Sequence, residues 1–395
     1  MAPIRVALIG LSATAITTWA SDAHLPYLLS TNGKSHYQII ALLNSSVAAA
    51  EAAKSHFHLP PSTKTYGSPA DLAADLDVDL VVCSTRVDTH FPTIAPSLKA
   101  GKAVFVEWPL AANLAQALEL LTTANGEEYS KNIVGLQGRV SPVTLRIQSI
   151  LAAGTIGTVL SSTVHSFGSL LPRDAIPESM LYFTQRAVGG NAINIENGHS
   201  MDYILHVLGG FAAFESRMQI QRGRVRVLGK KWDGEEGDRS VETDVPDLLS
   251  IHGSLEGRQG PVPVVDGALL TLTFRTGPPF KGQPALTWSI NGTRGELLIT
   301  VSGRYLHSHV FDDISIKHHD HASDEVRELG WEWEDWQREL PVRARATAEL
   351  YERYAEWVEG GKGAVREGRE WPGLRDGVER LRMFEGIYRQ FDESW

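Results

Sequence analysis

The sequence predicts two domains. The first, residues 1–125, is an α/β domain on a doubly wound parallel sheet. The second, residues 126–395, is an α+β domain with a large, mostly antiparallel, open-faced sheet. Three observations support this. The chain has 395 residues, 43% of them hydrophobic, which suits two cores at roughly 150 residues per domain. The N-terminal part alternates short unbroken apolar runs with helix-like segments, as in a parallel sheet covered on both faces. After about Gly135 the apolar residues alternate with polar ones, as in a sheet with one solvated face.

Taken in order, Ile4–Ile9, Tyr37–Leu43, Val78–Cys83 and Ala103–Val106 read as the buried strands, with helices at Val47–His56 and Phe91–Ala100 between them. Further strands are expected at Thr158–Phe167, Val225–Leu228, Ala268–Phe274, Leu286–Ile290 and Glu296–Val301. The charged, Gly-containing stretch Gly229–Asp247 reads as an exposed loop. Ala346–Val358 and Gly373–Phe391 have helical spacing, with Leu374, Val378, Leu381 and Tyr388 on one side. These tail helices are expected to pack against the rest of the chain, including the first domain.

The formal net charge is −10 and no basic block stands out. Direct binding to nucleic acid or to an anionic membrane is therefore not expected. No stretch reaches ~18 uninterrupted apolar residues, so no membrane span is expected. The apolar Val6–Ile9 run is broken by Gly10 and Ser12, and a strand-turn-helix explains it better than a signal peptide. The single cysteine, Cys83, excludes an intrachain disulfide and fits a reducing, cytoplasmic location. It ends an apolar run and reads as a buried strand residue rather than a nucleophile.

The first strand leads into Gly10-Leu11-Ser12-Ala13-Thr14-Ala15. A Rossmann fold places glycines here so that the turn is tight and backbone amides can approach a pyrophosphate at a helix N-terminus. Only Gly10 is kept, with Ser12 and Ala15 as small replacements. Gly10, Ser12, Ala13 and Thr14 are the candidate pyrophosphate site. The second strand ends in Asn44-Ser45-Ser46. An aspartate there would bind a ribose 2′-hydroxyl and repel a 2′-phosphate. Its absence, with two hydroxyls in place, leans toward NADP(H) over NAD(H).

Two further strings carry a resemblance. Ala100-Gly101-Lys102-Ala103-Val104-Phe105-Val106-Glu107-Trp108-Pro109-Leu110-Ala111 resembles the AGKxVxxEKPLA signature of the Gfo/Idh/MocA oxidoreductases, and Ser84 followed by Thr85-Arg86-Val87-Asp88-Thr89-His90 resembles their T-P-N-x-x-H loop. The resemblance implies that Ser84, Thr85, Arg86, His90, Glu107, Trp108 and Pro109 line the nicotinamide side of a dinucleotide site. It also implies a lysine at position 108, reaching the substrate hydroxyl. Trp108 stands there instead. An indole N–H donates a hydrogen bond but cannot exchange a proton near neutral pH. Arg86 occupies the proline position; phosphate or substrate contact and a solvated surface arginine are both open readings.

Gly189-Gly190-Asn191-Ala192-Ile193-Asn194-Ile195-Glu196-Asn197-Gly198-His199-Ser200-Met201-Asp202 is similar to the family's G-G-G-x-x-x-D-x-G-x-H-x-x-D segment. His199 falls on its substrate-facing histidine, implying an acid/base or positioning role. A structural histidine at the head of a helix is the alternative. Ile195 replaces the aspartate, and Glu196 and Asn194 would point about 100° away on a helix. Asp202 could orient His199 or serve structure. Tyr182, a candidate catalytic residue, and Arg186 and His165 are polar candidates for the substrate pocket. Trp19, His24-Leu25-Pro26 and Gly135-Leu136-Gln137-Gly138-Arg139-Val140-Ser141-Pro142 also agree with the family.

The variant pattern resembles a fungal branch. It includes the galactose-regulon repressor of yeasts, a dinucleotide-binding inhibitor of a transcriptional activator. It also includes oxidoreductase-like proteins, some from metabolite gene clusters. Three functions follow as expectations. The first is an NAD(P)(H)-dependent oxidoreductase on a hydroxyl, carbonyl or conjugated small molecule. The second is a non-catalytic dinucleotide sensor with a transcription-factor partner, nuclear as well as cytoplasmic. The third is a non-redox isomerase, lyase or cyclase. The family also implies a homo-oligomer through the open sheet face.

No metal site is expected. Lys317-His318-His319-Asp320-His321 lacks a ligand spacing and reads as a solvated loop. His307 and His309 would share one strand face. Trp331, Trp333 and Trp336, set among acidic residues, read as cover for a hydrophobic edge or as a partner contact.

Overall fold

The structure is a computed structural model and describes residues 2–15, 18–124, 131–168, 172–229, 236–257, 260–302 and 313–393. The chain divides into two compact units, Met1–Val140 with Trp333–Arg382, and Ser141–Glu332 with Met383–Trp395. His307 and His309 lie outside the described residues.

The first unit is built on strands β1 (Ile4–Ile9), β2 (Tyr37–Leu43), β3 (Lys64–Tyr66), β4 (Leu80–Cys83), β5 (Ala103–Glu107) and β6 (Ile133–Gly135). Their order is β3-β2-β1-β4-β5-β6 and every pair is parallel. This is the doubly wound order, and the direction of winding reverses between β1 and β4. Alternate residues feed opposite faces. Val6, Leu8, Leu42, Leu80, Val82 and Phe105 join a core with Tyr351, Ala348 and Ala355 of the helix Val342–Glu359. Ala7, Ile9, Ala41, Leu43 and Val81 pack with Leu72 on the other face. β3 and β6 are three residues each, too short to show a period, and β6 lies beyond the expected boundary at residue 125.

The second unit contains β7 (Val159–Gly168), β8 (Ala175–Pro177), β9 (Phe211–Gln219), β10 (Arg224–Leu228), β11 (Glu236–Glu242), β12 (Leu248–Leu255), β13 (Val264–Thr276), β14 (Leu286–Gly292), β15 (Gly295–Val301), β16 (Ile314–Asp320) and β17 (Glu325–Glu328). Eight of them form one sheet in the order β17-β16-β15-β14-β7-β13-β12-β9. Only the β7–β13 pair is parallel. One face is apolar and buried, with Val164, Leu270, Leu272, Phe274, Trp288, Ile290, Leu297 and Ile299 on it. The helix Gly198–Leu208 sets Tyr203 against Trp288, ring centroids 6.0 Å apart. The indole of Trp288 donates to Ser162 Oγ at 2.9 Å, so its buried N–H is satisfied. The other face presents Thr163, His165, Thr271, Thr273, Thr287 and Ser289, half-buried or exposed.

Two loop expectations are corrected. Gly229–Asp247 is not a single exposed loop: β11 pairs antiparallel with β10, which pairs with β8 in a second, three-stranded sheet. Its charges mislead because this small sheet has little core to cover. Lys317-His318-His319-Asp320 lies in β16 rather than a solvated loop, and His318 is buried over Gly295. Among the described residues no group of His, Cys, Asp and Glu could hold a metal ion. No described helix is long and apolar enough to cross a membrane.

Gly10 has φ +91°, and a Cβ placed there would lie 2.3 Å from the Ser84 carbonyl oxygen. The first and fourth strand loops can approach only because this side chain is absent. Gly10→Ala is therefore expected to lower the unfolding free energy of the chain by about 1–3 kcal/mol, read by urea denaturation. Unchanged stability would mean that the two loops separate at no cost.

Candidate functional site

In the first unit, four loops gather at the carboxyl ends of β1, β2, β4 and β5. The main chain ties them together. Gly10 N donates to Leu43 O, and Ser84 N to Ile9 O, both at 3.1 Å. Asn44 Nδ2 donates to the carbonyls of Leu11 at 2.8 Å and Ala49 at 3.3 Å. Asn44 thus fixes the first loop against the second, and both its amide hydrogens are engaged within the protein. Ser45 and Ser46 are exposed. Ser46 Oγ accepts from Ala49 N at 3.1 Å, capping the helix Val47–His56, and its own hydroxyl hydrogen stays available. In the first loop Ser12 Oγ accepts from Thr14 N at 3.2 Å; Ala13 and Thr14 are exposed.

The loop after β4 is held from within. Thr89 Oγ1 bonds Thr85 Oγ1 at 2.9 Å and the Arg86 carbonyl at 2.6 Å. His90 is buried, with Nδ1 2.9 Å from the Pro109 carbonyl and Nε2 3.0 Å from that of Thr85. Burial pushes its pKa down, so the neutral ring donates to one carbonyl at a time. His90 is thereby a clamp between the β4 and β5 loops. Arg86 does not reach out: Nε and Nη2 grip both carboxylate oxygens of Asp88 at 2.6 and 2.7 Å. Cys83 lies buried in β4, and burial pushes its thiol up to about 12, the inert condition expected of a strand cysteine.

The end of β5 carries a buried polar chain. Glu107 Oε1 lies 2.9 Å from His24 Nε2, and His24 Nδ1 lies 2.8 Å from the Tyr351 hydroxyl. Burial keeps the Tyr351 phenol protonated. With Glu107 as acceptor, His24 donates through Nε2 and accepts the Tyr351 O–H at Nδ1. The other Glu107 oxygen rests on Gly135, where a Cβ would come within 2.4 Å. Next to this anchor Trp108 is 4% exposed and its bond to Pro109 is cis. The sequence flagged Glu107 and His24 separately. Their link, and the role of Tyr351, could not be seen across 327 residues of chain.

In the second unit His199 sits in the first turn of the helix Gly198–Leu208 and is 7% exposed; Asp202 is 1% exposed. The segment before it, Ile193–Asn197, is a π-turn, a distortion common at functional sites. Ile195 and Tyr182 pack with Ile176, Met180, Phe183 and Val225. An aspartate at position 195 would enter an apolar cluster, which explains the isoleucine. Tyr182 belongs to that cluster, its ring edge-on to Phe183 at 5.0 Å. Arg186 pairs with Asp392 at 2.7 Å and lies 4.5 Å from the centre of the Tyr388 ring, so it anchors the C-terminal helix. His165 is exposed on the open sheet face.

The sequence sets Glu196 aside as pointing away from the motif position. Its carboxyl enters the notch at Gly168, where a Cβ would lie 2.6 Å from Oε2 and 3.0 Å from Phe274 Cζ. Oε2 is buried without a hydrogen-bond partner, and burial alone pushes the pKa up to about 8. Lying beside the Ile195 position, Glu196 gave no motif signal.

Residues 4–132 match the oxidoreductase family with an NAD-binding Rossmann fold, and residues 142–301 match the C-terminal domain of Gal80p. The first domain thus resembles the Gfo/Idh/MocA oxidoreductases and the second resembles the C-terminal domain of Gal80p, each over its own stretch of the chain. Dehydrogenase aclE of Aspergillus oryzae is 29% identical over 305 residues, 77% of this chain and 79% of its own length. The galactose/lactose metabolism regulatory protein GAL80 of Saccharomyces cerevisiae is 28% identical over 75% of this chain and 66% of its own. The crystal structure of a super-repressor mutant of Gal80p from the same yeast superposes with a TM-score of 0.84, at 23% identity, over 100% of this chain and 97% of that one. That likeness speaks to the fold.

Two outcomes follow. His24→Ala strands a buried carboxylate and a buried phenol, and is expected to cost about 3–5 kcal/mol by urea denaturation; a loss below about 1 kcal/mol would contradict the anchor. Glu196 in the folded chain holds its proton to about pH 8, against an ordinary 4.5. Between those values the folded state binds a proton that the unfolded state has released, so stability falls as pH rises. Glu196→Gln should remove a slope of up to about 1.4 kcal/mol per pH unit. Parallel urea midpoints for both proteins from pH 5 to 8 would refute this.

Proposed function

We propose that the chain is an NAD(P)(H)-dependent oxidoreductase acting on a hydroxyl, carbonyl or conjugated small molecule. The observation that carries this is the close approach of Gly10 to Ser84 at the winding reversal, where a Cβ would collide with the Ser84 carbonyl. The Ser12–Thr14 segment beside it, exposed at Ala13 and Thr14, has only small side chains, which suits a pyrophosphate. Gly10, Ser12, Ala13 and Thr14 would hold that group. Asn44, Ser45 and Ser46 would face the adenosine ribose. Ser84, Thr85, Arg86, His90, Glu107, Trp108 and Pro109 would line the nicotinamide side. A bound dinucleotide supplies the hydride acceptor or donor.

The protein's own part is positioning and proton exchange. His199 is the proton-exchanging group of this reading, since an unperturbed imidazole titrates near pH 6.5. Trp108 replaces the lysine with an apolar wall, favouring a substrate less polar than a free sugar. Exposed hydroxyls at Ser45 and Ser46, with no carboxylate next to them in the sequence, favour NADP(H) over NAD(H). Because Asn44 and Arg86 are engaged elsewhere, the preference is modest.

A second reading, a non-catalytic dinucleotide-dependent regulator, is favoured by Trp108 and Ile195. Both remove a polar group from the family's usual set. A dinucleotide would then act by binding more tightly to one of two states of the chain. A pull-down from the host, with and without dinucleotide, should recover a transcription factor only under this reading.

The test of the first reading is a screen of polyols, alcohols and carbonyl compounds followed at the nicotinamide absorbance band. His199→Ala is expected to lower turnover by about 100-fold or more, with dinucleotide affinity retained. Undiminished turnover would remove His199 from its role.

A further inference from the structure

At one end of the open sheet face two arginines sit together, and among the described residues neither forms an ion pair with a carboxylate. Arg275 closes β13, with its guanidinium over the Phe167 ring, 5.0 Å from the centroid. It donates to the carbonyls of Thr276 and Pro278, both at 3.2 Å. Arg173 donates to the same Pro278 carbonyl at 2.9 Å and to that of Pro279 at 3.4 Å. Two guanidinium groups on one oxygen lie within a few ångströms of each other.

The crowding is built into the backbone. Gly277 has φ +81°, and a Cβ there would lie 2.3 Å from Arg173 Cγ. The glycine leaves the groove through which the Arg173 stem crosses to the Pro278 turn. The neighbouring acids are already engaged: Asp174 pairs with Arg226 at 3.2 Å and Asp247 with Arg222 at 3.0 Å. Among the described residues no carboxylate forms an ion pair with Arg173 or Arg275. Burial first, then the charges of Arg173 and Arg222, lower the Arg275 pKa against a smaller opposing effect of Asp247. In a chain of net charge −10, the two neighbouring ion pairs leave the charges of Arg173 and Arg275 unpaired among the described residues. Carbonyl dipoles offset part of the repulsion, and an oxyanion between the two forks would relieve the rest, through charge-assisted bonds that arginine makes bidentately.

We propose that Arg173 and Arg275 form a binding site for a small oxyanion, a phosphate or carboxylate group of a free metabolite. The second unit alone supplies it, with no dependence on the dinucleotide cradle. The site gives the chain a second input, an anionic effector or the anionic tail of a larger ligand.

Calorimetric titration of the full chain with inorganic phosphate and, separately, with succinate tests this, at constant ionic strength set by chloride. Saturable binding of either ion is expected, weakened about tenfold or more in Arg173→Gln and in Arg275→Gln. Saturation by phosphate alone marks a phosphorylated ligand, and by succinate alone a carboxylated one. Equal binding in wild type and both variants would place the ion elsewhere, in the dinucleotide cradle for example, and would overturn the proposal. So would absence of saturation with both ions. Arg173 is exposed and bonds only to carbonyls, so its variant should fold; an unchanged urea midpoint confirms that the loss is one of binding.

Discussion

The hydrogen-bonded chain from Glu107 through His24 to Tyr351 is the constraint on which the first unit's site depends. It takes one residue from the end of a strand, one from the first helical segment and one from a helix near the C-terminus. A carboxylate at 7% exposure is tolerable only with such partners. Satisfying it fixes where the chain leaves β5, and so where Trp108 and Pro109 begin. His90 then joins Pro109 to the β4 loop, and Gly10 brings β1 against that loop. Each loop of the cradle is thus held by at least one buried bond to another.

The two departures from the family's polar set have different physical settings. Trp108 sits beside a carboxylate that His24 already holds, where a large apolar ring is buried in sequence next to Glu107. Ile195 belongs to an apolar cluster with Tyr182, where an aspartate would be desolvated. The second unit still carries a titratable carboxyl one residue away, at Glu196, kept neutral by burial. The second unit therefore keeps a titratable carboxyl although position 195 itself is apolar.

Much of the fold was legible because buried parallel strands and one-sided antiparallel strands leave different periods in the sequence. The helix Val47–His56 begins where expected because Ser46 caps its N-terminus. The short strands β3, β6 and β8 were not legible, since three residues show no period. Charge disguised β11 and the histidines disguised β16, because local composition outweighed alternation. At the candidate site the loops were legible from motif position, whereas the partners were not. Asp88 gripping Arg86, Asn44 bridging two loops, and Tyr351 reaching His24 are tertiary pairings, and a single sequence carries no signal for them.

Calorimetric titration of the purified protein with NAD+, NADH, NADP+ and NADPH tests the central claim most directly. The account predicts saturable binding of at least one dinucleotide, with the 2′-phosphorylated forms ahead by a modest factor. Absence of binding by all four would contradict it, and would reduce the cradle at Gly10 to a structural remnant of the family fold.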